Sequence, residues 1–178
     1  MKRMLTLLLS GLFIILAGYS VWQVLNKDTS ELKVGGQPHF INDKNIGEME
    51  VTTLTGDQEK LKHKLTADIN IINFWASWCE PCNKEMPELV RYDEMKPNHI
   101  KLIGLNVQDK NEGRQSFLKK YKPDYPIVIG TEEMIRKYRI YNIPTTVFVA
   151  KDGQVLMTYV GELDVYKIET LIQQIERR

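Results

Sequence analysis

The most informative segment of the chain is Asn73-Phe74-Trp75-Ala76-Ser77-Trp78-Cys79-Glu80-Pro81-Cys82. It starts inside an almost continuous apolar run, residues 69–75, which predicts a central β-strand. A helix is predicted to follow from about residue 79 to residue 95. Cys79 and Cys82 are the only cysteines of the chain. At positions i and i+3 of a helix start they lie about one turn apart, within the roughly 4.4–6.8 Å Cα separation that a disulfide tolerates.

Cys79 is predicted to lie at the N-terminus of this helix. There, free backbone N–H groups and the positive end of the helix dipole stabilise a thiolate, so we expect its sulfur to be nucleophilic near neutral pH. Cys82 lies deeper and can attack the mixed disulfide that forms on Cys79. Pro81 occupies the first turn, where its missing N–H costs nothing. The pattern therefore predicts thiol-disulfide exchange.

Two other interpretations of the cysteine pair are a stabilising disulfide and a zinc site. Closing a loop of about four residues contributes only about 2 kcal/mol in the chain-entropy model, against roughly 3 for a loop of about 15 residues. A structural zinc site needs four ligands, and His39, His63 and His99 stand at no recognisable spacing from the cysteines. Redox chemistry is thus favoured, with the cysteine pair itself as the redox centre and no cofactor or metal expected.

The first segment differs sharply from the rest of the chain. Lys2 and Arg3 are followed by an uncharged, mostly apolar run over residues 4–26, about the length that a helix needs to cross a bilayer. Without a good small-x-small cleavage site, an uncleaved anchor is favoured over a cleaved signal peptide. The two N-terminal cations predict a cytoplasmic N-terminus and a single-pass protein in the cell membrane. We therefore expect an anchor at 1–26, a tether at 27–36 and an extracytoplasmic domain at 37–178.

The charge balance limits the partners of the exported domain. The 178-residue chain carries a formal charge of +1, and without Lys2 and Arg3 the remaining 22 basic residues face 23 acidic ones, a net charge of −1. A nucleic-acid-binding protein would carry a clear basic excess, so nucleic acid is not an expected partner.

Beyond the tether, short apolar runs alternate with helical patterns. The Asp152-Gly153 dipeptide predicts a tight hairpin between two of the strands. Strands are predicted over 49–54, 60–65, 69–75, 100–107, 126–129, 145–150 and 154–160, and helices over 79–95, 112–121, 132–138 and 164–176. This order predicts an α/β fold with a mixed central sheet flanked by helices.

A second motif makes a family resemblance specific. Ile143-Pro144-Thr145-Thr146-Val147-Phe148-Val149 looks like the cis-proline segment of thioredoxin-fold proteins, and residues 73–82 look like their active-site strand and helix start. Together with the predicted anchor, the sequence resembles the ResA/TlpA-like family of extracytoplasmic thiol-disulfide oxidoreductases, nearest to its ResA-like branch. The resemblance covers roughly residues 35–178 and implies a thioredoxin-like fold.

The resemblance also implies roles for particular residues. In the family the bond before Pro144 is cis, packs against the cysteines and leaves the backbone of Ile143 free to pair with an extended substrate. Glu85 stands where the family has an acid near the cysteines. Its place at the edge of an apolar stripe predicts partial burial and suits proton transfer, although a solvated glutamate is the alternative. Asn73 stands where thioredoxin has a buried aspartate.

Residues next to the cysteines are further candidates for substrate binding. Trp78, beside a cysteine expected to be exposed, could help to dock a client. Glu80 and Pro81 lie between the cysteines, where they would face a bound substrate. The negative charge of Glu80 disfavours a thiolate on Cys79, so the couple should be more reducing than one with a histidine there.

By resemblance, the substrate is an exported protein disulfide. ResA-like proteins reduce the Cys-x-x-Cys-His disulfide of apocytochrome c before haem attachment, with a CcdA-type membrane protein as electron donor. The alternatives are the same chemistry on another client, as in the StoA-like reductases of endospore cortex synthesis, a disulfide oxidase, and a non-catalytic binding module whose cysteines are structural.

Overall fold

The structure is a computed structural model that describes residues 15–20, 22 and 35–177. Residues 15–20 and 22 are helical, and residues 35–177 belong to a compact unit that begins at Gly35. The rest of the predicted anchor and most of the predicted tether lie outside the described residues. Among the residues described, no helix has the length and apolar character needed to span a bilayer.

A single seven-stranded mixed sheet forms the centre of the compact unit, in the order β2-β1-β5-β4-β3-β6-β7. The strands are β1 (Glu50–Thr53), β2 (Gln58–Lys60), β3 (Ile69–Trp75), β4 (Ile100–Asn106), β5 (Ile127–Ile129), β6 (Thr145–Ala150) and β7 (Val155–Val160). The predicted α/β class with a mixed sheet is therefore confirmed.

Strand β3 is an inner strand of the sheet, between β4 and β6, and both of its faces are covered. All seven of its residues are buried, as its nearly continuous apolar sequence predicts. It pairs in parallel with β4, Trp75 opposite Asn106, and antiparallel with β6, Phe74 opposite Thr145. The C-terminal end of β3, which leads to Cys79, therefore lies beside the N-terminal end of β6, which follows Pro144.

Four helices flank the sheet: α1 (Glu80–Met95), α2 (Asn111–Tyr121), α3 (Glu132–Tyr138) and α4 (Val165–Glu176). Three of them begin with a side chain that accepts a backbone N–H: Cys79 for α1, Thr131 for α3 and Asp164 for α4. Helix α4 buries Ile168, Leu171 and Ile172, part of its predicted apolar face.

The predicted second strand, 60–65, is wrong. Strand β2 ends at Lys60, and Leu61–His63 form a turn of 3₁₀ helix. A strand would place Leu61, His63 and Leu65 on the same face. Leu61 and Leu65 are buried but His63 is exposed, so the burial of this segment does not alternate as in a strand.

The predicted hairpin joins β6 to β7 through Gly153, which has a φ of +95°. A Cβ at this position would lie 2.8 Å from the backbone N of Gly47. Gly56, in the turn between β1 and β2, has a similar φ of +97° but open space around it. The two glycines therefore share a backbone conformation and differ in crowding.

Gly56→Ala is expected to lower the free energy of unfolding by about 1 kcal/mol, because an L side chain disfavours this backbone region. Gly153→Ala is expected to cost about 2–4 kcal/mol, since overpacking against fixed backbone is added to the same conformational cost. Urea unfolding of the two variants and the wild type measures both. Equal losses would contradict the packing argument.

Candidate active site

The two cysteines meet at the start of α1. They form a disulfide with a Cα–Cα distance of 5.3 Å. Cys79 is the N-cap residue of α1, and its Sγ accepts the backbone N–H of Cys82 at 3.2 Å. Cys79 is only 4% exposed and Cys82 is fully buried. The attacking cysteine expected from the sequence is thus far less exposed than predicted.

The second motif lies against Cys79. The Ile143–Pro144 peptide bond is cis, and Sγ of Cys79 lies 3.7 Å from the carbonyl oxygen of Ile143. The Thr145 hydroxyl donates to the carbonyl of Asn142 at 2.6 Å, which closes the turn around the proline. Two motifs some sixty residues apart in sequence are thereby in contact, as the pairing of β3 with β6 requires.

Glu85 lies three residues after Cys82 on α1 and is only 2% exposed. Its Oε1 accepts the side-chain amide of Asn73 at 2.8 Å, and its Oε2 accepts the backbone N–H of Leu163 at 3.0 Å. Burial raises the pKa of Glu85 to about 7, against the opposing effect of these two hydrogen bonds. The carboxyl group is therefore able both to take up and to release a proton near neutral pH.

Asn73 links Glu85 to β6. Its amide nitrogen also donates to the hydroxyl of Thr146 at 3.0 Å, and all three side chains are buried. Sequence reasoning treated Asn73 only as a missing carboxylate and overlooked its contact with Glu85. The sequence could have pointed to Thr146, because it lies in the proline motif; in the sheet it pairs with Asn73. Nothing in the sequence points to Leu163, because it contributes a backbone N–H and not a side chain.

The remaining predicted substrate-binding residues lie around the disulfide. Trp78 is 62% exposed, and its indole N–H donates to the carbonyl of Gln108 at 2.8 Å, which holds the ring on the surface. Glu80 is exposed on the first turn of α1 and forms an ion pair with Lys84 at 2.9 Å. Pro81 is half-buried in the same turn. These positions are compatible with contacts to a bound client, and their roles stay predictions.

The described part of the chain contains no group of three or more His, Cys, Asp or Glu side chains that could hold a metal ion. The disulfide itself is the redox-active group that the geometry supplies. It stands on a helix N-terminus, next to a cis-proline segment, with a buried carboxyl group on the same helix.

Comparison with known proteins identifies the relatives of this arrangement. The model of the AhpC/TSA family matches residues 43–157, more than half of the chain. The chain belongs to the AhpC/TSA family. The match includes the whole stretch from β1 through the cysteines and the proline motif into β7.

Curated relatives bear names of the predicted kind. The chain is 29% identical over 162 residues to a thiol-disulfide oxidoreductase ResA of Bacillus cereus, covering 89% of this chain and 87% of that protein. It is 27% identical to sporulation thiol-disulfide oxidoreductase A of Bacillus subtilis, covering 90% and 93%. The predicted resemblance and the predicted class of enzyme, a protein thiol-disulfide oxidoreductase, are confirmed.

Solved structures confirm the thioredoxin-like fold. The crystal structure of StoA from Bacillus subtilis is 26% identical, with a TM-score of 0.56, and the match covers 68% of this chain and 93% of that one. A putative thiol:disulfide interchange protein DsbE from Chlorobium tepidum shares the fold at 22% identity, with a TM-score of 0.63 and coverage of 75% and 96%.

The raised pKa of Glu85 makes stability depend on pH. The folded protein holds this proton up to a pH of about 7, whereas the ordinary pKa is 4.5. Between these values the folded state binds more protons than the unfolded state, so the stability that the raised pKa contributes is lost as the pH rises through about 7. Glu85→Gln removes this loss.

Relative to the wild type, Glu85→Gln is therefore expected to gain about 3 kcal/mol in free energy of unfolding between pH 4.5 and pH 8. Urea unfolding of the oxidised proteins at both pH values measures this difference. The cost of the altered hydrogen bonds is the same at both pH values, so it cancels when the two are compared. Glu94→Gln, exposed on the same helix, controls for the loss of one carboxylate. A pH-independent difference for Glu85→Gln would mean that the buried carboxyl group does not titrate in this range.

Proposed function

We propose that the protein is a membrane-anchored reductase of disulfides in exported proteins. The observation that carries this proposal is the Cys79–Cys82 disulfide at the helix N-terminus, in contact with the cis-proline segment and followed by the buried Glu85. The names of the curated relatives support the same chemistry.

The proposed reaction transfers two electrons to the client. The Cys79 thiolate attacks one sulfur of the client disulfide, that S–S bond breaks, and the departing client thiolate takes up a proton. Cys82 then loses its proton and attacks Sγ of Cys79. The Cys79–Cys82 disulfide forms, the mixed disulfide breaks, and the second client thiolate is released.

Glu85 supplies the base for the second step. The thiol of Cys82 is buried, so water does not readily remove its proton, and a nearby carboxylate has to do so. A pKa of about 7 lets Glu85 be ionised for a substantial fraction of the time and still hold a proton after the transfer. Asn73 keeps the carboxyl group oriented through its 2.8 Å hydrogen bond.

The reducing direction is favoured by the charge next to Cys79. Glu80 follows the attacking cysteine directly, and a carboxylate there disfavours the thiolate and hence the reduced form. Lys84 opposes this effect through its ion pair with Glu80, but both side chains are exposed and screened by solvent. A weakly stabilised reduced form gives up its electrons readily.

The client that we propose is apocytochrome c, whose Cys-x-x-Cys-His disulfide must be reduced before haem attachment. A CcdA-type membrane protein would return electrons to the Cys79–Cys82 disulfide. The site would face the extracytoplasmic side, with the N-terminus in the cytoplasm. The resemblance to ResA-like proteins supports this client, and curated relatives carry the name ResA. Another relative is named a sporulation thiol-disulfide oxidoreductase, which supports the rival client of endospore cortex synthesis. No nucleic acid takes part.

Two further rivals differ in chemistry. A disulfide oxidase would have a midpoint potential near that of DsbA, about −120 mV, whereas a reductase lies well below it. A binding module with a purely structural disulfide would form no mixed disulfide with a client at all.

The Glu80–Lys84 pair makes the effect of charge on the potential measurable. Glu80→Gln is expected to raise the midpoint potential by on the order of 10–20 mV, because the Cys79 thiolate loses a repulsive neighbour. Lys84→Gln is the matched control and should lower the potential by a similar amount. Redox titration in glutathione buffers measures both shifts. Shifts of the same sign would contradict the electrostatic account.

Client trapping tests the function directly. A Cys82→Ala variant should accumulate its client as a mixed disulfide on Cys79, since the resolving thiol is gone. Non-reducing electrophoresis and mass spectrometry of membranes from cells expressing the variant identify the client. Recovery of apocytochrome c supports the proposal, and recovery of a protein of endospore cortex synthesis favours the StoA-like rival.

The matched control is Cys79→Ala with Cys82 intact, which should trap nothing. Equal trapping by both variants would mean that Cys79 is not the attacking cysteine. Absence of any adduct on Cys82→Ala, under conditions in which the wild type turns over, would mean that the assigned nucleophile is wrong. Client reduction that is untouched in Cys79→Ser would make the binding module the better account.

A further inference from the structure

The loop that leads into Cys79 is held by a residue from another part of the chain. Asp109, in the segment between β4 and α2, accepts the backbone N–H of Ser77 at 2.7 Å and the Ser77 hydroxyl at 2.7 Å. The same carboxylate accepts the side-chain amide of Asn106 at 2.9 Å. Asn106 is fully buried at the end of β4, so Asp109 ties the loop to the rigid sheet.

Ser77 is held on its other side as well. The side-chain amide of Asn83 donates to the carbonyls of Ser77 and Cys79, both at 3.0 Å. Asn83 in turn accepts the hydroxyl of Tyr121, at the end of α2, at 3.1 Å. All three polar groups of Ser77 therefore have partners, and the two on Asp109 are the shorter bonds.

The segment that carries Asp109 also holds Trp78. The carbonyl of Gln108 accepts the indole N–H at 2.8 Å, and Gln108 itself has a φ of +49°. A non-glycine residue in this left-handed region is strained, and such strain persists only where the surroundings hold the backbone. The two residues directly before Cys79 are thus anchored by two consecutive residues of one strained segment.

Helix α2 leaves room for this contact because residue 113 is glycine. A Cβ on Gly113 would clash with the Ser77 hydroxyl oxygen and would lie 3.2 Å from Oδ1 of Asp109. The first turn of α2 therefore packs directly on the hydrogen bond between the two side chains.

We propose that Asp109 is a positioning residue that acts through Ser77 to hold Cys79 at the N-terminus of α1. Sγ of Cys79 accepts the backbone N–H of Cys82 at 3.2 Å and lies against the Ile143 carbonyl, so a displaced loop moves the sulfur out of both contacts. A thiolate that loses this N–H and the helix dipole is less stable.

The role of Asp109 is geometric and does not need its charge. An asparagine at this position can accept the Ser77 N–H and the Asn106 amide with its oxygen, and can donate to the Ser77 hydroxyl, which then acts as acceptor. Removing the negative charge by itself favours the Cys79 thiolate. Loss of position and loss of charge thus shift the titration of Cys79 in opposite directions.

The test compares Asp109→Ala with Asp109→Asn in the Cys82→Ala protein, where Cys79 is the only thiol. The ultraviolet absorbance of the thiolate is recorded against pH. Asp109→Ala is expected to move the midpoint upward by about one unit, and Asp109→Asn to leave it unchanged or move it slightly downward. The other charged groups around the site, Glu80, Lys84, Glu85 and Arg114, stay in place in every variant.

Equal downward shifts in both variants would overturn the proposal, since they would mean that Asp109 acts only by its charge. An unchanged midpoint in Asp109→Ala would overturn it too. Glu112→Gln, exposed in the first turn of α2, is the control for a carboxylate of the same segment and should leave the midpoint where it is.

Gly113→Ala gives a second test that keeps the carboxylate and favours the helix. Alanine is a better helix former than glycine by about 1 kcal/mol, which offsets much of the cost of the displaced hydrogen bond, so we expect the variant to stay folded. The new methyl group displaces the Ser77 hydroxyl from Asp109, and the Cys79 midpoint should move upward, by less than in Asp109→Ala. If the Cys79 midpoint does not move upward in Gly113→Ala, the proposal is contradicted.

This inference rests on Cys79 being the attacking cysteine, but not on the client or the direction of electron transfer. If the parent Cys82→Ala protein traps no client through Cys79, the nucleophile itself is misassigned and both proposals fail. If the parent behaves as expected and only the Asp109 variants do not, the proposed function stands and the positioning role is refuted.

Discussion

The pairing of β3 with β4 on one side and β6 on the other fixes the geometry of the site. The parallel ladder with β4 brings the end of β3 next to the segment that carries Gln108 and Asp109. The antiparallel ladder with β6 brings the same end next to Ile143 and Pro144. One strand therefore delivers the cysteine loop to both of its partners, and a shift in either register would separate them.

Within that frame, Glu85 is a buried titratable group close in sequence to the cysteines. Glu85 is enclosed by α1, the Asn73 side chain from β3 and the backbone before α4, and only two hydrogen bonds compensate for the water it has lost. The cost of ionising such a group raises its pKa to about 7. This burial lowers stability at high pH, and it fits the general observation that perturbed acids gather at functional sites.

Much of the fold could be predicted because its signals are local. The apolar run of β3, the Asp152-Gly153 turn and the polar punctuation between elements are all readable in short windows, and the predicted elements agree with the structure to within one or two residues in most cases. The region after β2 is predicted as a strand but contains a turn of 3₁₀ helix. The four-residue spacing of Leu61 and Leu65 fits the two-residue period of a strand as well as a helical period, and the segment is too short to distinguish them. The predicted partial burial of Glu85 understated its enclosure, since α4 and the loop before it cover it from a distant part of the chain.

The cysteine pair, its place at a helix start, the proline motif and the acid three residues after Cys82 could all be predicted, because each is a matter of residue type and spacing along the chain. The contacts of Asn73 with Glu85 and of Asp109 with Ser77, and the near-complete burial of Cys79, could be seen only in the folded chain. Hydrogen bonds of this kind join residues between 12 and 78 positions apart, as for Asn73 with Glu85 and Glu85 with Leu163. Their partners follow from strand order and register, which no local pattern of side chains encodes.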